Sequence, residues 1–324
     1  KKGRAQAVLV NSGNANACTG PQGDRDAAST ARAAARALGL PAGLVLVGST
    51  GTIGIPMPMD RLLKAIPAAV AGLSATGGDA AARAIMTTDT RLKVCTVRFR
   101  ADQRLVTLAA MAKGAGMIEP HMATMLAFFL TDAAVRPAAL QAALSGAVAD
   151  SFNRITVDGD QSTNDTVLVM ANGAAGNRPL RPGHPDWPVF EAALREATLN
   201  LALKMVRDGE GARKLVTVRV LGARTASEAD AAARAVANSL LVKTAWAGEY
   251  PNWGRVMDAL GYSPARVVEE KVDIHYDHLL AVRHGVAAYA SLEALKRVQR
   301  KPCFTLCINL NLGRGAAVVY TCDC

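Results

Sequence analysis

AKGAGMIEPHMATMLAFFLTDA, residues 112–133, is the stretch on which the fold turns. Gly114 and Gly116 make a flexible loop, Pro120 stiffens its exit, and Ala123-Thr124 runs directly into the apolar run Met125–Leu130. A short, continuously apolar run bounded by turn residues reads as a central strand covered on both faces. It is also the longest apolar run in the chain, and far below the roughly 20 residues that cross a bilayer. Thr124 admits two readings. It is an ordinary β-branched opening to a strand. It is also a possible nucleophile: if the preceding peptide bond were cut, the new α-amine, with an ordinary pKa of about 7.7–8.0, would be a general base beside its own hydroxyl. The residues alone favour the first reading, and no other activated nucleophile stands in the sequence.

Outward from this strand, β and α patterns alternate. AQAVLVNSG and GLVLVGS (43–49) read as strands, and LKVCTVRF and RLVTLAAM as a strand pair. TVLVMANG and KLVTVRVLG read as further strands. Helices are expected over 24–40, with Gly39 near the end, and over 60–73, kinked or broken at Pro67. Others are expected from Pro137 to about Arg154, from Pro185 to Val206, and over 292–300. Ser227 with Asp230 reads as a capping box. Residues 174–186, rich in Gly, Pro and Asn, read as an exposed linker. The class is α/β or α+β, with mixed sheets layered with helices.

Half the residues are hydrophobic, which excludes a disordered or collagen-like chain; aromatics are only 4%, so the core must be aliphatic. Lys and Arg exceed Asp and Glu by 37 to 27, but they are scattered. The densest group, Lys296, Arg297, Arg300 and Lys301, reads as a solvated helix face, so acidic small substrates fit the balance at least as well as nucleic acid or a membrane surface. Four of the six cysteines lie in the last 22 residues. Cys303 and Cys307 share one face of a strand, which suits packing; a zinc site with His275 and His278 has no standard spacing. A reducing, cytoplasmic compartment is expected, and AVLV near the start is too short for a signal core.

Several motifs fail. GAGMIE has Glu119 where a dinucleotide loop needs its third glycine. DGDQSTNDT opens like a calcium loop, but has Thr163 at the sixth position and Val169 at the twelfth. No Walker loop, HExxH or GxSxG is present.

Taken in order, NSGNANACTG (11–20), STGTIG (49–54), MTTDT (86–90), KGAGMIEPHMATML (113–126) and SFNRITVDGDQSTNDT (151–166) resemble the ornithine acetyltransferase family of arginine biosynthesis. VRDGEGARK (206–214), ANSLLVKTAWAGEYPNWGR (237–255), NLGRGAA and YTCD extend the resemblance over essentially the whole chain. It implies a self-cleaving αββα sandwich of the N-terminal-nucleophile type. It implies cleavage between Ala123 and Thr124, giving chains 1–123 and 124–324, with Thr124 as the nucleophile. Acetyl transfer from N-acetylornithine to glutamate would then proceed through an acetyl-Thr124 intermediate. The family's oxyanion pair maps to Thr50 and Gly51, and its substrate contacts to Thr90, Lys113 and Glu210. Lys113 would suit a substrate carboxylate and Glu210 an ammonium. From the residues alone, Thr50-Gly51 reads as a plain turn after a strand, Lys113 as a solvated loop lysine and Glu210 as a surface carboxylate. Asn11, Asn14 and Asn16 read as turn residues supporting the site.

The resemblance implies no metal and no cofactor, with acetyl-CoA as a possible co-substrate. The expected partners are the cleaved half and a second processed pair. The family has further residues at both ends, including a C-terminal tail that supplies an Asn and a Thr or Ser; an inactive fragment is therefore one alternative. A self-cleaving amidase or aminopeptidase of related fold, for which a Ser nucleophile is expected, is another. Glu119 and His121 are unusual within the cleavage motif.

Overall fold

The computed structural model describes residues 3–119, 125–289 and 291–323, divided into two compact units that interleave along the chain. The first comprises residues up to Gly114, His121–Asn153 and Gln161–Leu201; the second comprises Ala115–Pro120, Arg154–Asp160 and Ala202–Cys324.

In the first unit β1 (Ala7–Asn11) pairs in parallel with β2 (Val45–Ser49), and the helix α1 (Gly20–Leu38) connects them. Ala34 and Ala35 are buried against Val45 and Ile66, small side chains that let the helix sit close to its neighbours. Gly39 closes α1 at φ 66°, a left-handed cap that suits glycine, and its N–H reaches the Ala35 and Arg36 carbonyls. Two helices follow, α2 (Met59–Ala71) and α3 (Gly78–Ala84). Pro67 lies inside α2 without breaking it, because it sits on the exposed face, where water can reach the carbonyl its ring leaves unpaired.

The unit's second sheet has the order β3 (Lys93–Ala101), β4 (Arg104–Lys113), β5 (Leu126–Thr131), β6 (Thr166–Ala171). Its first three strands are antiparallel and β5–β6 is parallel, so the sheet is mixed. β5 is central, as its apolar run requires. Leu126 and Phe128 pack with Ile85, Val8 and Val10, whereas Phe129 meets Phe152 edge-on. α4 (Pro137–Ala149) is shorter than its pattern suggested; a separate 3₁₀ turn occupies 152–154. Residues 174–186 are no loose linker. Leu180 is fully buried, and the Asn177 side chain accepts from the Ala134 N–H and donates to the Ala134 carbonyl. The segment leads into α5 (Trp187–Arg207).

The second unit holds a six-stranded mixed sheet built from β7 (Leu215–Ala223), β8 (Asp273–Tyr276), β9 (Leu279–Arg283), β10 (Val286–Ala287), β11 (Cys303–Asn309) and β12 (Gly315–Cys322). Its order is β10-β9-β8-β11-β7-β12. Val216, Val218 and Val220 alternate into the core with Leu306 and Ile308, and α6 (Ala226–Asn238) covers them with Ala229, Ala232, Ala233 and Val236. The cap of α6 is Thr225, whose hydroxyl accepts from the Glu228 N–H. Ser227 already lies within the helix, and Asp230 instead pairs with Arg154 and Arg234.

Two further short helices, α7 (Leu240–Ala247) and α8 (Trp253–Gly261), precede α9 (Leu292–Gln299). Cys303 and Cys307 do share a face of β11, but it is the less buried one; Phe304, Leu306 and Ile308 point to the core. Among the described residues Cys303 and Cys307 form no metal-holding group with His275 and His278. No helix of the described residues is long and apolar enough to cross a membrane. The class is α/β with mixed sheets, as expected.

Candidate functional site

The first unit builds its site where β1 and β2 end side by side. Beyond the last strand pair the two chains interlock. Thr50 N–H donates to Asn11 O at 3.1 Å, Thr52 N–H to Gly13 O at 3.3 Å, and Ala15 N–H to Thr52 O at 2.9 Å. Gly51 is the tightest point. Its φ is +128°, and an added Cβ would stand 2.2 Å from the Gly13 carbonyl carbon, so only glycine fits. The asparagines hold this weave: Asn11 Nδ2 donates to Asn14 O at 2.8 Å, Asn14 Nδ2 to Ile55 O at 3.1 Å and Asn16 Nδ2 to Gly23 O at 2.9 Å. They are supports for the turn, as the sequence suggested.

Thr50 is 1% exposed, and its partner is Lys113, the last residue of β4. Lys113 is no solvated loop lysine. Its Nζ is buried and donates to Thr50 Oγ1 at 3.1 Å and Thr87 Oγ1 at 2.7 Å, with Asp89 Oδ2 at 4.0 Å. An ammonium only donates, so Thr50 Oγ1 is the acceptor here, and its own hydrogen is left to serve a different acceptor.

Asp89 anchors the cluster. Its Oδ1 accepts from Lys93 Nζ at 2.6 Å and Gly114 N–H at 2.7 Å, and its Oδ2 from Thr87 N–H at 3.1 Å. Burial pushes the carboxyl up, but the Gly114 amide and the Lys93 ammonium outweigh it and hold Asp89 below its ordinary value. Thr90, the next residue, is exposed.

The loop before β6 contributes a second carboxylate. Asp165 Oδ1 accepts from the Met125 N–H at 2.6 Å, and the neighbouring Asn164 Nδ2 donates to Ser49 O at 3.2 Å. Thr87, Asp89 and Asp165 were missed as site residues. Asp89 and Asp165 lie within the quoted motifs MTTDT and STNDT, but nothing in their spacing says that one holds a lysine and the other a strand-opening amide.

In the second unit the glycine loop is clamped. Met117 N–H and Ile118 N–H donate to the Asp158 carboxylate at 2.5 and 2.9 Å. Glu119 accepts from Arg234 Nη1 at 3.1 Å and Asn238 Nδ2 at 2.8 Å, which explains a carboxylate where a glycine would open a nucleotide loop. Glu210 N–H donates to Ala115 O at 2.9 Å, and its side chain lies over Gly116; a Cβ there would come within 2.6 Å of Glu210 Oε1. Glu210 is exposed, as its surface reading had it. Ala123, Thr124 and His121 lie outside the described residues. One acidic group elsewhere in the first unit, Asp102, His184 and Asp186, has the closeness of a metal site. Arg178 pairs with Asp102, Asp102 N–H donates to Asp186 Oδ2 at 2.9 Å and His184 Nδ1 accepts from the Asp186 N–H at 3.1 Å, whereas His184 Nε2 is buried with no hydrogen-bond partner among the described residues.

Comparison with known proteins agrees with the motif reading over its full length. The ArgJ family model matches residues 1–324. The arginine biosynthesis bifunctional protein ArgJ of Symbiobacterium thermophilum is 52% identical over 321 residues, covering 99% of this chain and 80% of that protein. Its counterpart from Geobacter sulfurreducens is 50% identical over 322 residues, covering 99% and 82%. Among solved structures, the crystal structure of the arginine biosynthesis bifunctional protein argJ from Bacillus halodurans aligns with a TM-score of 0.58 and 42% identity, covering 61% of this chain and 93% of that one. Matched from its first residue to its last, the chain belongs to the ArgJ family.

Proposed function

We propose that this chain is an acetyltransferase of arginine biosynthesis, which moves the acetyl group of N2-acetylornithine to glutamate through acetyl-Thr124 after self-cleavage at Ala123–Thr124. The observation that carries the reading is the buried Lys113–Thr50 pair beside Gly51. Attack of the Thr124 hydroxyl on the acetyl carbonyl creates an oxyanion. Thr50, with its oxygen occupied by Lys113, has a hydroxyl hydrogen to give to that oxyanion, and Gly51 lets the backbone approach closely. The C–N bond then breaks, ornithine leaves with a proton on its amine, and glutamate's amine attacks the acetyl ester and regenerates the hydroxyl. Glu210 is a carboxylate suited to the ornithine ammonium, and exposed Thr90 is a further substrate contact. Lys113, as wired, assists mainly by orienting Thr50. No cofactor is required, acetyl-CoA is an alternative donor, and a cytoplasmic dimer of processed pairs is the expected form.

The test is formation of N-acetylglutamate from N-acetylornithine and glutamate, followed by mass. Thr50→Val keeps the shape and removes the donor; it should lower kcat by about 10²–10³. Absence of transfer by the parent, or a Thr50→Val enzyme as fast as the parent, would overturn the reading.

A further inference from the structure

Two threonine hydroxyls share the buried ammonium of Lys113. Its Nζ donates to Thr87 Oγ1 at 2.7 Å as well as to Thr50 Oγ1 at 3.1 Å. An ammonium accepts nothing, so each hydroxyl gives its oxygen to Lys113 and keeps its hydrogen for another acceptor. Thr50 is buried, whereas Thr87 is exposed. Among the described residues no acceptor takes the hydroxyl hydrogen of Thr87. The Thr87 N–H is bound by Asp89 Oδ2 at 3.1 Å, which fixes the turn that carries the hydroxyl.

Positive charge is in excess behind these hydroxyls. Lys93 and Lys113 bring two ammoniums and Asp89 one carboxylate, all buried. Asp165 also feels the Lys113 charge, but burial lifts its carboxyl to about 7, so it is only partly ionised at neutral pH. Excess buried charge is costly, and an anionic oxygen brought to the hydroxyls in front of it offsets that cost. Two hydroxyls on one nitrogen are also within reach of one small molecule. In the transfer proposed above, Thr50 takes the acetyl carbonyl oxygen. Only the amide nitrogen and the α-carbon separate that carbonyl from the α-carboxylate of an N-acetylated amino acid. N2-acetylornithine and N-acetylglutamate differ in their side chains and share this element.

We propose that Thr87 is a specificity-determining residue, whose hydroxyl donates to the α-carboxylate common to the acetyl donor and the acetyl acceptor, while Thr50, on the same lysine, serves the acetyl oxygen. The inference rests on the transfer reading and deepens it. The carboxylate is charged before the reaction as well as during it, so Thr87 acts on substrate capture and on KM. The acetyl oxygen gains its charge only in the transition state, so Thr50 acts on kcat. The contact with the carboxylate is made by Thr87, and Lys113 stands one hydrogen bond behind it. KM should therefore respond more to loss of Thr87 than to loss of Lys113.

The experiment compares two donors in the full chain, N2-acetylornithine and N-acetyl-1,4-diaminobutane, the same molecule without its carboxylate. Thr87→Val keeps the shape and removes the hydroxyl; the position is exposed, so water can accept from Lys113 instead. The variant should raise KM for N2-acetylornithine and for glutamate alike, each by about 10-fold or more, with kcat nearly kept. The preference for N2-acetylornithine over the decarboxylated donor should fall by the same factor, read in kcat/KM, or in inhibition constants where turnover of the analogue is too slow. Thr87→Ser returns the hydroxyl and should restore most of both. Equal losses with the two donors would mark a structural role and overturn the assignment, as would unchanged kinetics; N-acetylglutamate formation by the parent would leave the transfer reading standing. Thr87→Ala supplies the same comparison if Thr87→Val does not fold. A parent that forms no N-acetylglutamate overturns the transfer reading itself, and this one with it.

Discussion

Lys113 and Glu210 resemble each other in sequence: each is a charged residue beside glycines, and each suits one end of an amino-acid substrate. Structurally they are opposites. Lys113 is 2% exposed and engages two hydroxyls and a carboxylate of its own unit. Glu210 is exposed, its carboxylate resting on Gly116. A charge wired inward acts through its partners, whereas a charge left open can meet a ligand. The two should separate in kinetics: Lys113 in the chemical step and Glu210 in substrate capture.

The largest effect expected is at the floor of the first of these sites. Gly51→Ala places a methyl against the Gly13 backbone at a positive φ, so the variant should lose at least about 2 kcal/mol of stability and nearly all activity. Denaturant unfolding and the transfer assay measure both; a native-like midpoint would mean the weave of 11–15 with 50–52 is looser than described. Next, Lys113→Met should lower kcat by about 10²-fold with a small change in KM. A change confined to KM would instead make Lys113 a direct reader of the substrate carboxylate. Glu210→Gln should act the other way, raising KM for N-acetylornithine by roughly 10-fold with kcat nearly kept. Unchanged kinetics would remove Glu210 from the site.

The smallest effect marks a region outside both. Arg178 pairs with Asp102 on the surface and holds its carboxyl down at about 2. That contribution is present above the unfolded value of about 3.9 and is lost as pH falls through the folded one. Arg178→Ala should leave activity intact and shift the thermal midpoint only marginally at neutral pH, because an exposed pair is screened.

Much of this was legible from residue order alone. The run after Thr124 declared a central strand, because six apolar residues need cover on both faces. The pairing of β3 with β4 followed from two alternating stretches around a polar turn. What escaped was long-range. Thr225 and Ser227 are equally good caps by type, and only the end of β7 decides between them. Leu180 and Asn177 look like loop residues until they bond to the chain near Ala134. The partners of Lys113 come from residues 50, 87 and 89, and sequence gives no distance between such points. Asp165 was invisible as a site residue for the same reason: its meaning lies in an amide forty residues earlier.

The central claim is that Thr124 is made into an N-terminal nucleophile. Intact-mass spectrometry of the purified chain, with N-terminal sequencing of each component, tests it most directly. Two polypeptides are expected, the second beginning Thr-Met-Leu-Ala-Phe, and a single uncut polypeptide for Thr124→Ala. A parent that remains one chain, or a Thr124→Ala protein that still separates at Ala123, would contradict it.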